Sequence, residues 1–343
     1  AFRSRRDLGN KTLGYMLTHV DDSFNNKRAS VSVIDYVNVK SDQLTYFTDL
    51  LFSEKDDDSR FGYRSQFNYQ PSNFSYISGS ILYFDENFQL NDFGYLRRAD
   101  WIHVGLGGGL KQINFSKDSP VDQIDMNFDF NYDADTNGNS NPIRIDQKNE
   151  ITFKDTSKLK FDFGIKTSGK NTTITRKNPD FPFIKINKKK NITLDFEAAN
   201  YKFWTYDWRI SFEKGDKYNS WNSDGYKREF YKIAGSYFPN DNLKINMQYR
   251  VRKENEWLIW TEDNKFGLYD SEQDTVSIGL NWFSGNKHEI RLKSQFVALQ
   301  ADNPQSLISD SGGYLYDSDD LIKPFTQGVV SFQVRYKYEI APL

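Results

Sequence analysis

Three histidines are the side chains of this chain best suited to proton transfer near neutral pH. His19 stands in the segment THVDD beside two carboxylates, as a general base would, although a solvent-facing histidine at a strand end gives the same pattern. His103 is two positions after Trp101, so both would lie on the same face of a strand, and His103 is expected in an outer aromatic belt. His288 follows the turn SGNK and is expected at the rim of the fold. Because no Ser/His/Asp spacing can be interpreted before the neighbouring strands are known, the sequence assigns no catalytic residue.

The segment DADTNGN is the candidate metal site. It follows the first half of an EF-hand loop, D-x-D-x-N-G, whose oxygen atoms suit calcium. The candidate ligands are Asp133, Asp135, Asn137 and Asn139. The twelfth position of such a loop supplies a bidentate glutamate, and here it is Arg144. Turns in general are also rich in Asp, Asn and Gly, so an ordinary turn explains the segment equally well. No cofactor is therefore expected, and calcium on these four residues is the one alternative left open.

The elements that must position these residues are strands. In FWTYDWRISFE the large apolar residues from Trp204 to Phe212 alternate with polar ones, a period of two with one apolar face. We recognise roughly 16 such segments, most of about 10–15 residues, and no comparable period of 3.6. A soluble strand is usually about 5–6 residues long, whereas a strand that crosses a membrane needs about 9–11. The segment lengths therefore favour membrane-spanning strands.

Short and long connectors alternate roughly along the chain. The short ones are 40–43, 70–73, 154–158, 238–241 and 283–287, and the long ones are 85–100, 167–191, 214–227, 261–273 and 301–325. An up-and-down meander with tight turns at one end gives this pattern, as in outer-membrane barrels. A β-sandwich explains the alternation of any single strand, but a sandwich of this length would need several domains and linkers. We therefore predict an all-β fold, a large antiparallel up-and-down transmembrane β-barrel with about 16 strands visible and about 18 in the full protein.

Composition and charge narrow the class of protein further. The chain has 343 residues, of which 37% are hydrophobic and 27% charged, and no stretch approaches the roughly 20 apolar residues of a spanning helix. Aromatic residues make up 16% of the chain, so its hydrophobicity lies in few, bulky side chains. Several stand near segment ends, as in interfacial girdles: Tyr201, Phe203, Trp204, Trp257, Trp260, Trp282 and Phe283. A net charge of −2 without a basic stripe gives no reason to expect a nucleic-acid partner.

The polar positions between the apolar ones are the candidate functional surface. If the aromatic face meets lipid, charged residues of both signs face inward: Asp195, Glu197, Asp207, Arg209, Arg250, Arg252, Arg291, Lys293, Arg335 and Lys337. They would line a water-filled lumen that binds a polar solute, or they would pair across strands or hold a plug. The sequence leaves these alternatives open.

Several stretches resemble one bacterial family. They are LGYMLTHV (13–20), VIDY (33–36), YFDENFQLNDFGYLRRADW (83–101), NWFSGNKHEIRLKSQFVALQ (281–300) and VRYKYEIAPL (334–343). The chain resembles an uncharacterised family of Gram-negative outer-membrane proteins. In that family a sandwich similar to a family-nine carbohydrate-binding module precedes a barrel of unknown function. The resemblance implies that residues 1–343 are a single barrel domain of a longer protein, with a sugar-binding-like domain upstream and closing strands after Leu343. It brings no catalytic residues.

Three functions are compatible with this sequence. The first is an outer-membrane pore or uptake channel for a polar solute, for which the resemblance suggests a glycan-derived one. The second is a plugged anchoring barrel that belongs to a larger envelope complex and has protein partners. The third is an outer-membrane hydrolase, which would require a cluster of a histidine, a carboxylate and a hydroxyl. In all three cases the expected surroundings are the lipid and lipopolysaccharide of the bacterial outer membrane.

Overall fold

The computed structural model describes most of the chain. The described residues are 1–22, 27–41, 43–55, 58–88, 99–175, 178, 180–199, 201–216, 225–285 and 287–339. Over these ranges every regular element is a β-strand. No helix in them is long and apolar enough to cross a membrane.

The strands are long, as their two-residue periodicity predicts. The first seven are β1 (Phe2–Leu8), β2 (Lys11–Asp22), β3 (Lys27–Ser41), β4 (Leu44–Lys55), β5 (Asp58–Ser72), β6 (Ser75–Phe84) and β7 (Trp101–Gln112). The next six are β8 (Val121–Ala134), β9 (Arg144–Phe153), β10 (Lys158–Lys166), β11 (Gly169–Asn171), β12 (Ile184–Ile186) and β13 (Lys189–Glu197). The last seven are β14 (Trp204–Gly215), β15 (Tyr226–Asn240), β16 (Leu243–Glu262), β17 (Lys265–Ser284), β18 (His288–Ser309), β19 (Leu315–Asp317) and β20 (Phe325–Tyr338).

Strands that follow one another in the chain pair antiparallel. This holds from β1 to β7 and from β13 to β18, and β20 completes the second series by pairing with β18. Within the described ranges, eighteen strands belong to one sheet, and β11 with β12 forms a separate pair. The predicted all-β, antiparallel, up-and-down fold is therefore confirmed. The predicted short connectors 70–73, 154–158 and 238–241 are turns between consecutive strands, whereas Asp42 and Asn286 of the other two connectors lie outside the described residues.

The chain forms two compact units. The first comprises Ala1–Gln112, Asp125–Gln147 and Lys166–Lys170. The second comprises Ile113–Ile124, Lys148–Ile165 and Asn171–Leu343. The interpretation of 1–343 as a single barrel domain stays a prediction.

The second unit carries a wide apolar face. Residues paired across β13 to β20 form rows, one of which is Phe196, Trp208, Ile233, Tyr249, Val276, Phe296 and Val330. Five consecutive rows on this face are mainly apolar. The first of them contains Ile210, and the last contains Trp282. At about 3.4 Å per residue these rows span about 27 Å along the strands, or about 20 Å in height for strands tilted by about 40°. A lipid-facing band has about this height.

The second unit also contains strands longer than the sequence indicated. The predicted long connector over 261–273 is wrong, because β16 and β17 continue through it and meet in the turn Glu262–Lys265. β18 likewise extends to Ser309, which shortens the connector predicted over 301–325. The extensions are stabilised by a small hydrophobic cluster of Ile184, Phe266, Leu307 and Leu315, against which Trp260 and Leu268 pack. Propensity and polarity at these positions suggested a loop, and tertiary packing overrode them.

The first unit has a core on one face of its sheet. Leu51, Phe84 and Phe88 form a buried cluster there. Phe88 follows β6 in the connector predicted over 85–100, is 1% exposed, and stacks on Phe84 with 4.9 Å between ring centroids. Gly62 leaves room for this stack, since a Cβ on it would lie 2.6 Å from Phe84 and 3.3 Å from Phe88. The described start of this connector therefore packs on the sheet.

Candidate functional site

The ten charged residues predicted to face inward lie on one face of the second unit. The strand registers place them opposite the apolar rows, on a surface that we call the polar face: Asp195, Glu197, Asp207, Arg209, Arg250, Arg252, Arg291, Lys293, Arg335 and Lys337. Directly opposed residues share a face of an antiparallel sheet, so the shared face follows from the pairing alone. Whether this face lines a lumen stays a prediction.

Several of these charges are paired across strands. Asp195 is 6% exposed and accepts a hydrogen bond from Arg209 Nε at 2.7 Å, from the directly opposed position on β14. Asp207 is paired with Lys232 of the neighbouring strand, and Arg252 with Glu254 two positions further along its own strand. Such pairs compensate the cost of holding a carboxylate away from bulk water. This part of the surface is thus neutral in its local charge balance.

Three cations of the polar face have no carboxylate partner among the described residues. They are Arg250, Lys293 and Arg335, which have no ion pair there. The Nε atom of Arg250 is buried and has no hydrogen-bond partner in this part of the chain. Arg335 lies directly opposite Arg291, whose own charge is paired with Glu289, so no carboxylate of the described residues pairs with Arg335. The polar face therefore carries uncompensated positive charge.

A hollow of about 650 Å³ lies on the same strands. Its lining includes the amide side chains of Asn246, Gln248, Gln295 and Gln333, together with the charged Lys293. Small residues such as Ser277 open this space between the larger ones. Amide groups both donate and accept hydrogen bonds, so the surface suits a hydroxyl-rich or anionic solute better than an apolar one.

The first unit places a second charged pair in a similar position. Asp49 is 3% exposed and accepts a hydrogen bond from Arg64 Nε at 2.9 Å, from the directly opposed residue of β5. The Arg64 guanidinium also lies over the Phe47 ring, 4.6 Å from its centroid. A buried aspartate held by an arginine on the next strand therefore occurs in each unit.

The expectation for His103 is wrong. His103 and Trp101 share a face, as predicted, but it is the face of Asp49 and Leu51, on the opposite side of the sheet from the exposed apolar residues of β7 such as Leu106. The two-residue alternation separates the two faces of a strand, but it does not say which face is polar when four of the twelve residues, as in β7, are glycine. Tertiary pairing decides this instead.

His103 lies between a hydroxyl and a carboxylate. Its Nδ1 is 2.9 Å from Asp133 Oδ1, and its Nε2 is 3.3 Å from Ser80 Oγ. Trp101 Nε1 donates to the same Asp133 oxygen at 2.8 Å. Sequence reasoning missed this cluster, because Ser80, His103 and Asp133 belong to three different strands and have no interpretable spacing.

The predicted calcium turn is closed by its own hydrogen bonds. Asp135 accepts from the backbone N–H and from the side-chain amide of Asn139, both at 2.7 Å. Asn139 Oδ1 accepts from Lys170 Nζ at 2.6 Å, Asp133 is directed to His103, and Asn137 is exposed. Over the described ranges no group of three or more His, Cys, Asp or Glu residues is arranged to hold a metal ion. Calcium binding stays a prediction.

The other two histidines lie near strand ends. His19 is exposed and its Nδ1 is 2.8 Å from Ser30 Oγ, as expected for a solvent-facing histidine. His288 begins β18 directly after a tight turn, and its Nδ1 is 2.7 Å from the Tyr336 hydroxyl. Neither has a carboxylate partner among the described residues, and neither marks a site.

Comparisons with known proteins give likenesses in structure alone. No known protein family and no curated protein matches the sequence. The outer-membrane protein OmpT of Vibrio cholerae is 10% identical, with coverage of 97% of this chain and 100% of that chain and a TM-score of 0.40. A FadL homologue of Pseudomonas aeruginosa is 9% identical, with coverage of 92% and 80% and a TM-score of 0.31. OccK3 of Pseudomonas aeruginosa is 10% identical, with coverage of 95% and 94% and a TM-score of 0.31. TM-scores below 0.5 carry no inference about function.

Proposed function

We propose that this chain is a membrane-spanning β-barrel domain of the bacterial outer membrane and that its polar face lines a path for a polar solute. The observation that supports the proposal is that apolar and charged residues lie on opposite faces of the sheet formed by β13 to β20. One face exposes five mainly apolar rows, and the other carries the ten charged residues and the hollow. Long strands that are apolar on one side and polar on the other are the pattern of a membrane barrel with a wet interior.

The charge of the polar face selects the class of solute. Arg250, Lys293 and Arg335 are cations without a carboxylate partner in the described part of the chain, whereas Asp195 and Asp207 are paired. Charged side chains along a pore set its ion selectivity. The solute is therefore polar and preferably anionic, and the family resemblance adds a glycan-derived solute as the first candidate.

Single-channel recording tests the proposal. The full-length protein is inserted into a planar bilayer, and the reversal potential is measured under a salt gradient. We expect stable ohmic steps with a preference for anions, because the uncompensated charge is positive. The double variant Arg250→Gln/Lys293→Gln should lose most of that preference and keep the steps.

A matched control uses a lysine of the opposite face. Lys253 is paired with Glu272 at 2.9 Å at the edge of the apolar rows, so Lys253→Gln should leave the selectivity unchanged. Folded, inserted protein that gives no steps would contradict the channel. Equal effects of the double variant and the control would contradict the role of the polar face.

One observation favours the second candidate, an anchoring barrel within an envelope complex. Phe88, from the connector after β6, is buried on the same face of the first unit as Leu51. In a plugged barrel, a segment of the chain folds against the inner face of the sheet, and this connector would be part of such a plug. A folded barrel that conducts no ions and co-purifies with protein partners would support this candidate.

A further inference from the structure

We propose that Ser80, His103 and Asp133 form a catalytic triad for hydrolysis of a carboxylic ester on the first unit. The hydroxyl of Ser80 lies 3.3 Å from Nε2 of His103, and Nδ1 of His103 lies 2.9 Å from Asp133. A nucleophile, a base and a carboxylate that orients the base, in this order of contact, are the arrangement of serine hydrolases. Triads are recognised by geometry and roles, and they recur on unrelated folds.

The hydrogen bonds fix the role of each nitrogen. Asp133 is acceptor-only when ionised, so the His103 tautomer that satisfies it carries its proton on Nδ1. Nε2 is then free to accept the proton of Ser80 Oγ. Trp101 Nε1 donates to the same Asp133 oxygen at 2.8 Å and holds the carboxylate in place. Asp133 and Trp101 therefore act as positioning residues, and Ser80 and His103 are the catalytic residues.

The glycine run of β7 makes room for the contact. Ser80 lies directly opposite Gly105 in the β6–β7 pairing. A Cβ on Gly105 would come within 2.6 Å of Ser80 Oγ and 3.0 Å of His103 Nε2. Any side chain at this position would thus occupy the space in which serine and histidine meet. The segment GLGGG at 105–109 keeps this space open.

A hollow adjoins the serine. It has a volume of about 450 Å³ and is lined by Ser80 and Gly105, and also by the amide residues Gln66 and Asn131. Gln66 lies directly opposite Ser80 on β5. Side-chain amides serve as oxyanion donors in some hydrolases, and these two are the candidates here. The side chains of His103 and Asp133 are 20% and 30% exposed, so the cluster is open to a substrate.

The chemistry balances with water as the co-reactant. Ser80 Oγ attacks the ester carbonyl carbon and gives its proton to His103 Nε2. The C–O bond to the alcohol then breaks, and His103 returns the proton to the departing alkoxide. Water attacks the resulting acyl-serine, loses its proton to His103, and releases a carboxylic acid while Ser80 regains its proton. No oxidant, reductant or metal is required.

The lining of the hollow indicates the class of ester. Its volume lies toward the lower end of the roughly 300–1,000 Å³ of small-molecule sites. Polar side chains such as Asn68, Ser78 and Asp129 line this hollow together with the serine. We therefore assign short-chain esters of polar, hydroxyl-bearing alcohols as substrates, rather than long-chain lipid esters.

Covalent labelling tests the triad. The folded full-length protein in detergent is treated with a fluorophosphonate probe, which transfers its phosphonyl group to an activated serine with loss of fluoride, and the labelled peptide is identified by mass spectrometry. We expect the label on Ser80 and none after Ser80→Ala. His103→Ala should slow labelling by about 10²–10⁴-fold, the usual contribution of a general base.

Two further variants separate catalysis from structure. Ser30→Ala removes a serine outside the hollow that also contacts a histidine, with Ser30 Oγ 2.8 Å from His19 Nδ1, and should leave the labelling rate of Ser80 unchanged. Gly105→Ala keeps all three triad residues and should abolish labelling, because its Cβ displaces the Ser80–His103 contact. Hydrolysis of p-nitrophenyl acetate should follow the same order. Failure of the wild-type protein to label at Ser80, or labelling of His103→Ala at the wild-type rate, would overturn the proposal.

Discussion

At the scale of single residues, the same interaction occurs in both units: a buried aspartate is paired with an arginine. Asp195 is paired with Arg209, and Asp49 with Arg64, in each case from directly opposed positions on neighbouring strands. A buried carboxylate that loses its partner bears the desolvation cost without compensation. These pairs therefore stabilise the native state mainly by preventing that cost.

Removal of Arg209 is expected to destabilise the second unit. Arg209→Ala leaves Asp195 buried and unpaired, which should lower the free energy of unfolding by about 1–3 kcal/mol. The double variant Asp195→Asn/Arg209→Gln removes both charges and should lose less. Urea unfolding of the full-length protein in lipid vesicles measures the difference.

The control for this prediction is an exposed ion pair. Lys253 and Glu272 are half exposed, so Lys253→Ala should change the free energy of unfolding by about 0–1 kcal/mol. If Arg209→Ala were no more destabilising than Lys253→Ala, the Asp195–Arg209 pair would not have the role described.

The triad shows where sequence reasoning fails at this scale. His103 and Ser80 are 23 positions apart, and His103 and Asp133 are 30 apart, so no local motif links them. They meet because β6 pairs with β7, Asp133 of β8 is bonded to His103 of β7, and Gly105 carries no side chain between Ser80 and His103. The signal present in the sequence was the run GLGGG, since a glycine in a strand often marks the close approach of another group.

At the scale of strands, alternation predicted the faces well. The ten charged candidates share one face because the register shifts in the pairings of β15 to β18 lie outside the stretches that carry them, so the two-residue period is kept there. Strand ends were predicted less well. β16, β17 and β18 run past the predicted loop boundaries, because their outer ends pack on Ile184 and Phe266, which the local sequence does not indicate.

Adjacent residues of β16 offer a test of the two faces. Met247 is 59% exposed on the apolar face, and Gln248 follows it on the polar face. Met247→Lys should cost about 2–4 kcal/mol in folding into a bilayer, the usual cost of a lysine near the membrane midplane. Gln248→Lys should cost little. Folding titrations in lipid vesicles measure both, and equal costs would contradict the assignment of the faces.

At the scale of the whole molecule, composition predicted the class of fold. Aromatic residues make up 16% of an otherwise polar chain, and they recur at period two in segments long enough to cross a membrane. Such a pattern leaves few alternatives to a large antiparallel sheet, which the structure contains. The solute could not be predicted, because it depends on which charges remain unpaired after the strands are in register. Arg250 and Arg252 look alike in sequence, yet only Arg252 has a carboxylate partner in the described ranges.

The central claim is that the polar face lines an aqueous path and the apolar face meets lipid. The chain has no cysteine, so single cysteines report on one position at a time. Gln248→Cys and Met247→Cys are recorded as single channels in a planar bilayer while a membrane-impermeant cationic methanethiosulfonate is added. We predict a stepwise fall in conductance for Gln248→Cys and no change for Met247→Cys. A change only at Met247, the same change at both positions, or a protein that is folded and inserted but opens no channel would contradict the account.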